Sequence, residues 1–261
     1  MLRAITILQG FAIQATDGEI GKVDQFYFDD ETWAIRYLVV STGSWLSGRR
    51  LLISPIAVTE TNWTGKKLNV ALTKKQVEGS PDINTDKPVS RQHEADTLGY
   101  YGYPFYWGGA FLWGSVSYPA GIRKSVAFEP SSSKTEKQLM DSHLRSTSEV
   151  IGYYVHAVDG EIGHVEDFLV DEETWAIRYV EVDTRNWWSG KKVLVSPQWI
   201  QRVSWTESKV YVDLLQETIK NGPEYVEPVT RDYEGKLHEH YSREAYWLQG
   251  KEQPYSPTVR G

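Results

Sequence analysis

The chain has 261 residues, a net charge of −7 and no cysteine, which excludes disulfides, thiolate metal ligation and thiol catalysis. The charge is uneven: residues 1–107 carry 11 basic and 12 acidic side chains, residues 144–261 carry 13 and 20, and an acidic half argues against nucleic-acid binding because phosphate neutralisation needs a basic face. The sequence lacks the uninterrupted run of about 20 apolar residues that spans a bilayer, so a soluble, cytoplasmic protein without a transmembrane segment is expected.

The N-terminal stretch Met1-Leu-Arg-Ala-Ile-Thr-Ile-Leu-Gln-Gly10 is too short in apolar residues for a secretory leader and reads as part of the fold. Asp17-Gly18 sits between apolar runs, a strong hairpin signal because both residue types tolerate positive φ, and Gly21 suits a bulge. Trp33 to Val40 is apolar on both faces, as expected of a strand with a barrel interior on one side. Leu68, Val70 and Leu72 alternate with polar residues and predict a further strand. Thr73 is expected to cap a short helix that stops before Pro81, and Ser90 to cap a second one running into Tyr106-Trp107.

The same text then returns. Asp17–Tyr37 and Asp159–Tyr179 are identical at 15 of 21 positions, offset by 142 residues. Asp17, Gly18 and Gly21 recur as Asp159, Gly160 and Gly163, and Arg36 as Arg178. Ser54-Pro55 recurs as Ser196-Pro197, Pro88-Val-Ser-Arg91 as Pro228-Val-Thr-Arg231, and Tyr106-Trp107 as Tyr246-Trp247. A duplicated unit follows, with one repeat over 1–107, a connector over 108–143, a second repeat over 144–247 and a polar tail over 248–261. Two copies can pair within one chain as a pseudo-dimer, burying the strand face of Trp33, Ile35 and Tyr37.

The motif Asp-Gly-Glu-Ile-Gly-(Lys/His)-Val, followed by Phe, an acidic pair, Thr-Trp and Ile-Arg-Tyr, resembles the PRC-barrel family in both copies. The family is named for the cytoplasmic domain of the photosynthetic reaction centre H subunit and is related to a domain of a ribosome maturation factor. The resemblance implies a mainly β fold of two tandem small barrels with short helices, and a barrel that docks onto other macromolecules. The H subunit's membrane anchor and proton-delivery residues have no counterpart here.

Several residue groups invite chemistry. Trp45-Leu-Ser-Gly-Arg49-Arg50 and Trp187-Trp188-Ser-Gly-Lys191-Lys192 join aromatics, a turn and two cations, a composition enriched where proteins meet partners or membrane interfaces; the bland reading is a Trp lid with solvated cations. The tract 98–114 holds four Tyr, two Trp and two Phe. Its glycines are expected to prevent a regular helix, and Tyr103, Phe105, Trp107, Phe111 and Trp113 are candidates either for a strap across the barrels or for a binding surface. The acids Asp29, Asp30 and Glu31, and Asp171, Glu172 and Glu173, read as solvated turns rather than metal ligands. Arg36 and Arg178, inside apolar strands, are expected to pair with those turns. His238-Glu-His240 with Glu234 reads as a solvated helix face. No catalytic spacing, metal site or cofactor signature stands out. The expectation is a non-enzymatic docking or assembly module with protein partners, at a membrane-associated complex or in stress adaptation; the alternative is a ligand or metal-ion binder using the acidic second barrel.

Overall fold

A computed structural model of the chain describes residues 1–83, 89–107, 109–124, 143–184 and 190–248. Trp187, Trp188, the polar connector over 125–142 and the tail from 249 onward lie outside the described residues. The strands are β1 (Leu2–Ala4), β2 (Ala12–Ala15), β3 (Gly18–Asp29), β4 (Ala34–Ser41), β5 (Arg50–Ile53), β6 (Val58–Asn62) and β7 (Lys67–Val70). They continue with β8 (Leu144–Ser146), β9 (Tyr154–Ala157), β10 (Gly160–Asp171), β11 (Ile177–Asp183), β12 (Lys192–Val195), β13 (Ile200–Ser204) and β14 (Lys209–Val212). The helices are α1 (Lys74–Glu78), α2 (Arg91–Tyr101), α3 (Pro119–Lys124), α4 (Thr147–Val150), α5 (Gln216–Lys220) and α6 (Arg231–His240). The class is mainly β, as the period-two pattern implies.

Two compact units result, and they are not the repeats cut end to end. One comprises Met1–Ile7, Ser148–Glu172 and Ala176–Gly261; the other comprises Leu8–Thr147 and Glu173–Trp175. The first-repeat unit orders its strands β5-β4-β3-β2-β7-β6, with β8 also on β3; the second-repeat unit orders them β12-β11-β10-β9-β14-β13, with β1 also on β10. Each long strand therefore takes the opening strand of the other repeat: Leu2 faces Asp171, and Leu144 faces Asp29. The acidic turn shared by the two repeats has a structural role. Arg145 on β8 binds Asp30 at 2.8 Å, and Arg3 on β1 binds Glu172 at 2.7 Å, so each turn anchors an incoming strand.

The expectation of closed barrels is corrected. Among the described residues no ladder joins β5 to β6 or β12 to β13, so each unit is a branched seven-stranded sheet. The chain following the short helix takes up the free edge instead: Ile83 N–H donates to Arg50 O and Tyr225 N–H to Lys192 O.

The motif glycines are placed by geometry. A Cβ on Gly21 would lie 2.3 Å from Ser41 O, and one on Gly163 2.0 Å from Asp183 O, both at positive φ. The β2–β3 and β9–β10 registers shift beside these residues, so the bulges lie where the sequence puts them. Asp17 and Asp159 do more than turn the hairpin: their Oδ1 atoms accept the first N–H of α1 (Lys74) and of α5 (Gln216), each at 2.8 Å. Trp33 and Trp175 sit at φ 53° and 59°, an uncommon conformation for a bulky residue, and both are buried. Asp29 Oδ1 supports that turn by accepting the N–H groups of Glu31 and Thr32.

Candidate docking surface

The loop between β4 and β5 brings Trp45 to the surface at 37 % exposure. Lys74 Nζ lies 5.5 Å from the centre of its ring. Trp45 borders an open groove of about 510 Å³ formed by the bulged start of β3 (Lys22, Asp24) and the hydroxyl-rich segment Ser41, Thr42 and Ser44. Gly21 sits in its wall, so the same close approach that forbids a side chain there shapes the groove.

The paired cations of the loops are engaged inside their own units. Arg49 donates to Glu78 O and Ser80 O at 3.0 and 2.9 Å, and Lys191 donates to Lys220 O and to Gly222 O, so the first cation of each pair satisfies carbonyls at the C-terminus of the short helix. The second cation holds an acid on the long strand, Arg50 to Asp24 at 3.2 Å and Lys192 to Glu166 at 3.3 Å. The basic half of the candidate surface is thus structural in what it touches, and the aromatic half is what remains outward.

The tract 98–114 turns inward. Contrary to the expectation that its glycines exclude a helix, α2 runs through Gly99 to Tyr101 and ends at Gly102 with φ 69°. Leu98 in the core and the Tyr100 hydroxyl on Gln76 O at 2.7 Å hold its last turn. Tyr103, Phe105 and Trp107 pack on the cluster of Tyr27, Tyr37, Leu52 and Leu98. Phe111 bridges to Gly114, and Trp113 is buried with its Nε1–H on Thr174 O at 2.8 Å.

Arg36 does not reach the acidic turn directly. Its guanidinium donates to Leu112 O at 2.7 Å and to Thr32 Oγ1 at 2.8 Å, and lies 3.8 Å from the centre of the Tyr106 ring and 4.9 Å from that of Trp113. The aromatic tract competes successfully because it supplies a carbonyl and two ring faces in a dry site. Arg178 stacks likewise on Tyr246, at 4.2 Å.

Both trailing helices dock through a buried polar network that the sequence reading overlooked. In the first copy Glu94, fully buried, accepts from the Tyr106 hydroxyl and lies 3.2 Å from Arg91 Nη1, which also donates to Tyr106 at 2.8 Å. In the second, Glu234 accepts from Tyr179 (3.1 Å) and Tyr246 (3.0 Å) and pairs with Arg231 at 3.0 Å. The recurrence of Arg-x-x-Glu together with Tyr-Trp was the available signal. His238 belongs to this network at 3 % exposure, which corrects the expectation of a solvated face.

Burial pushes the Glu94 carboxyl from its usual 4.5 to about 7, against the pull of Arg91. The folded state then holds a proton that the unfolded chain releases at lower pH. Stability from this group is full below pH 4.5 and is lost as pH rises through 7, by about 3 kcal/mol. The stability difference between wild type and Glu94→Gln is expected to drift by that amount between pH 4.5 and 8. The drift is the readout, because glutamine leaves Arg91 short of its anion at every pH; a flat difference in urea titrations would refute the assignment.

The acidic second repeat has its own cluster. His164 and Glu166 on β10 and Asp183, opposite His164 on β11, bring one ligand atom each within 4.8 Å of one another. Lys192 lies 2.6 Å from Glu181, whose carboxyl burial pushes up. The first copy has Lys22, Asp24 and Ser41 at the same places, so only the second copy gathers a nitrogen and two carboxylates.

Among the described residues no helix is long and apolar enough to cross a membrane. A segment of 77 residues, 29 % of the chain, is 43 % identical to an uncharacterized protein of Deinococcus radiodurans, of which the match spans 27 %. The PRC-barrel domain model matches residues 3–77 and 143–219, the two stretches that hold both seven-stranded sheets and stop short of α2 and α6. With more than half of the chain matched in two copies of one domain, the protein belongs to the PRC-barrel family.

Proposed function

We propose that this protein is a non-enzymatic docking module of the cytoplasm whose contact surface is the Trp45 groove of the first repeat, and that its partner is another protein. The observation that carries the reading is the outward Trp45 beside an open groove of about 510 Å³ whose lining carries one cation, Lys22, and two anions, Glu19 and Asp24. Tryptophan anchors dominate binding energy when they enter a pocket on the partner, and the mixed charge at the rim supplies orientation.

Trp45→Ala is expected to leave stability within about 0.5 kcal/mol of wild type, because the residue lies at the surface. It should weaken capture of a stoichiometric partner from native lysate by tenfold or more. Retention of that partner by the variant, or recovery of the wild-type protein alone, defeats the reading.

The cluster of His164, Glu166 and Asp183 favours a second reading, a divalent-ion site in the second repeat, since a mixed nitrogen and oxygen set suits zinc or manganese. Under that reading zinc raises the thermal midpoint of the wild type and not of His164→Ala. No shift at millimolar zinc eliminates it.

A further inference from the structure

We propose that α6 is a proton-released clasp: uptake of a proton by His238 loosens this helix and the Tyr246-Trp247 segment from the second-repeat sheet, a release that Leu98, at the same place on α2, cannot provide. The inference stands apart from the docking reading.

The duplication supplies the control. Arg91, Glu94, Tyr106 and Trp107 align with Arg231, Glu234, Tyr246 and Trp247 at an offset of 140, which sets Leu98 against His238. Leu98 is 1 % exposed and His238 3 %. The first copy therefore demonstrates that this helix position docks with an aliphatic side chain. An imidazole there removes apolar burial and adds a titratable group, so the fold alone does not call for it.

Hydrogen-bond accounting determines where the proton must go. The Tyr179 hydroxyl has one proton and gives it to Glu234 Oε1 at 3.1 Å. The 3.0 Å contact between Tyr179 and His238 Nε2 must then run the other way, with Nε2–H donating to the phenol oxygen. Nδ1 is left as a bare lone pair, buried and without a hydrogen-bond partner. A second proton can be placed only on Nδ1, which makes no hydrogen bond in the docked structure.

The surroundings do not welcome the resulting cation. Trp199 and Trp247 lie 5.3 Å away edge-on, and Tyr246 at 6.4 Å. Arg231, on the same helix, adds a like charge. Glu234 is already engaged by Arg231, Tyr179 and Tyr246, and the backbone of Arg243 and Glu244 favours the cation by less than burial disfavours it. Burial accordingly holds the imidazole below its usual 6.5, so the docked state is fully favoured above that value and is lost as pH falls beneath it. His238 is one of three buried residues of the helix, with Glu234 and Leu237.

The test is amide hydrogen exchange on the full chain at pH 7 and pH 5, corrected for intrinsic rates. Wild-type α6 is expected to open on the order of tenfold more at pH 5. His238→Leu, which copies the first repeat, and His238→Gln, which keeps a neutral donor toward Tyr179, should both abolish the α6 response. A pH-independent wild-type α6 overturns the proposal. So does an acid response that survives in either variant.

Discussion

Replacing Gly163 with alanine is expected to unfold the second-repeat unit while the first-repeat unit persists. The new Cβ would lie 2.0 Å from Asp183 O, 2.9 Å from its carbonyl carbon and 3.2 Å from Thr184 Cα. These are backbone atoms of β11, held in register against β10 and β12, so they cannot swing aside as a flexible side chain would. The φ of +151° adds strain whatever the space. Clash and strain together place the loss above about 4 kcal/mol, in the range that diagnoses a broken backbone constraint. Gly160→Ala shares the φ of +151° but meets first the side-chain amide of Gln216, at 2.6 Å, which can move, so a smaller loss is expected. Urea unfolding followed by hydrogen exchange separates the two units. A Gly163→Ala protein whose β10 and β11 amides remain as protected as in the wild type would show that the sheet yields more easily than this packing implies.

That glycine was legible in the sequence, and the reason is instructive. Gly21 and Gly163 follow an Asp-Gly turn by a fixed interval in two copies, and a bulge is a local backbone event that local residues announce. The caps of α1, α2 and α6 were legible on the same ground, with Thr73, Ser90 and Thr230 each accepting an N–H from the third residue of its helix. What the sequence did not disclose is long-range partner choice. Arg36 could have paired with the nearby acids by every sequence argument, yet its guanidinium is taken by Leu112 O and Tyr106, some seventy residues away. Arg49 and Lys191 looked solvated because nothing in sequence states that a loop cation folds back onto the end of a helix thirty residues later. Among the described docking candidates on these loops Trp45 and the ion-paired Arg50 stay exposed, so the candidate surface survives in a reduced form centred on the aromatic ring. Strand exchange was invisible for a further reason: Arg3 and Arg145 are equivalent by duplication, so either could serve either acidic turn without altering a single residue.

The exchange yields the other large effect. Removal of residues 1–7 is expected to destabilise the second-repeat unit, although the deleted segment opens the first repeat. Leu2 and Ile5 are 6 % and 0 % exposed there, and burying such side chains is worth about 1.5–3 kcal/mol each. The segment also hydrogen-bonds a buried acid. The Thr6 hydroxyl and N–H both donate to Asp167, which is 5 % exposed and whose carboxyl burial already pushes up. Without these donors Asp167 stays inside a low-dielectric site with fewer partners, a further cost of about 1–3 kcal/mol. The salt bridge of Arg3 to Glu172 is exposed at both ends and adds little. Loss of the segment should therefore remove about 4–9 kcal/mol from the second-repeat unit. β3, paired with β8, should keep its protection. A synthetic peptide of residues 1–8 added in trans should restore part of the loss, because it needs only to re-form the β1–β10 ladder from Leu2 to Ala4 and refill the places of Leu2 and Ile5. Destabilisation confined to β3 and β4 would mean that each repeat closes on its own opening strand, and the exchanged pairing of β1 with β10 and of β8 with β3 would fall with it.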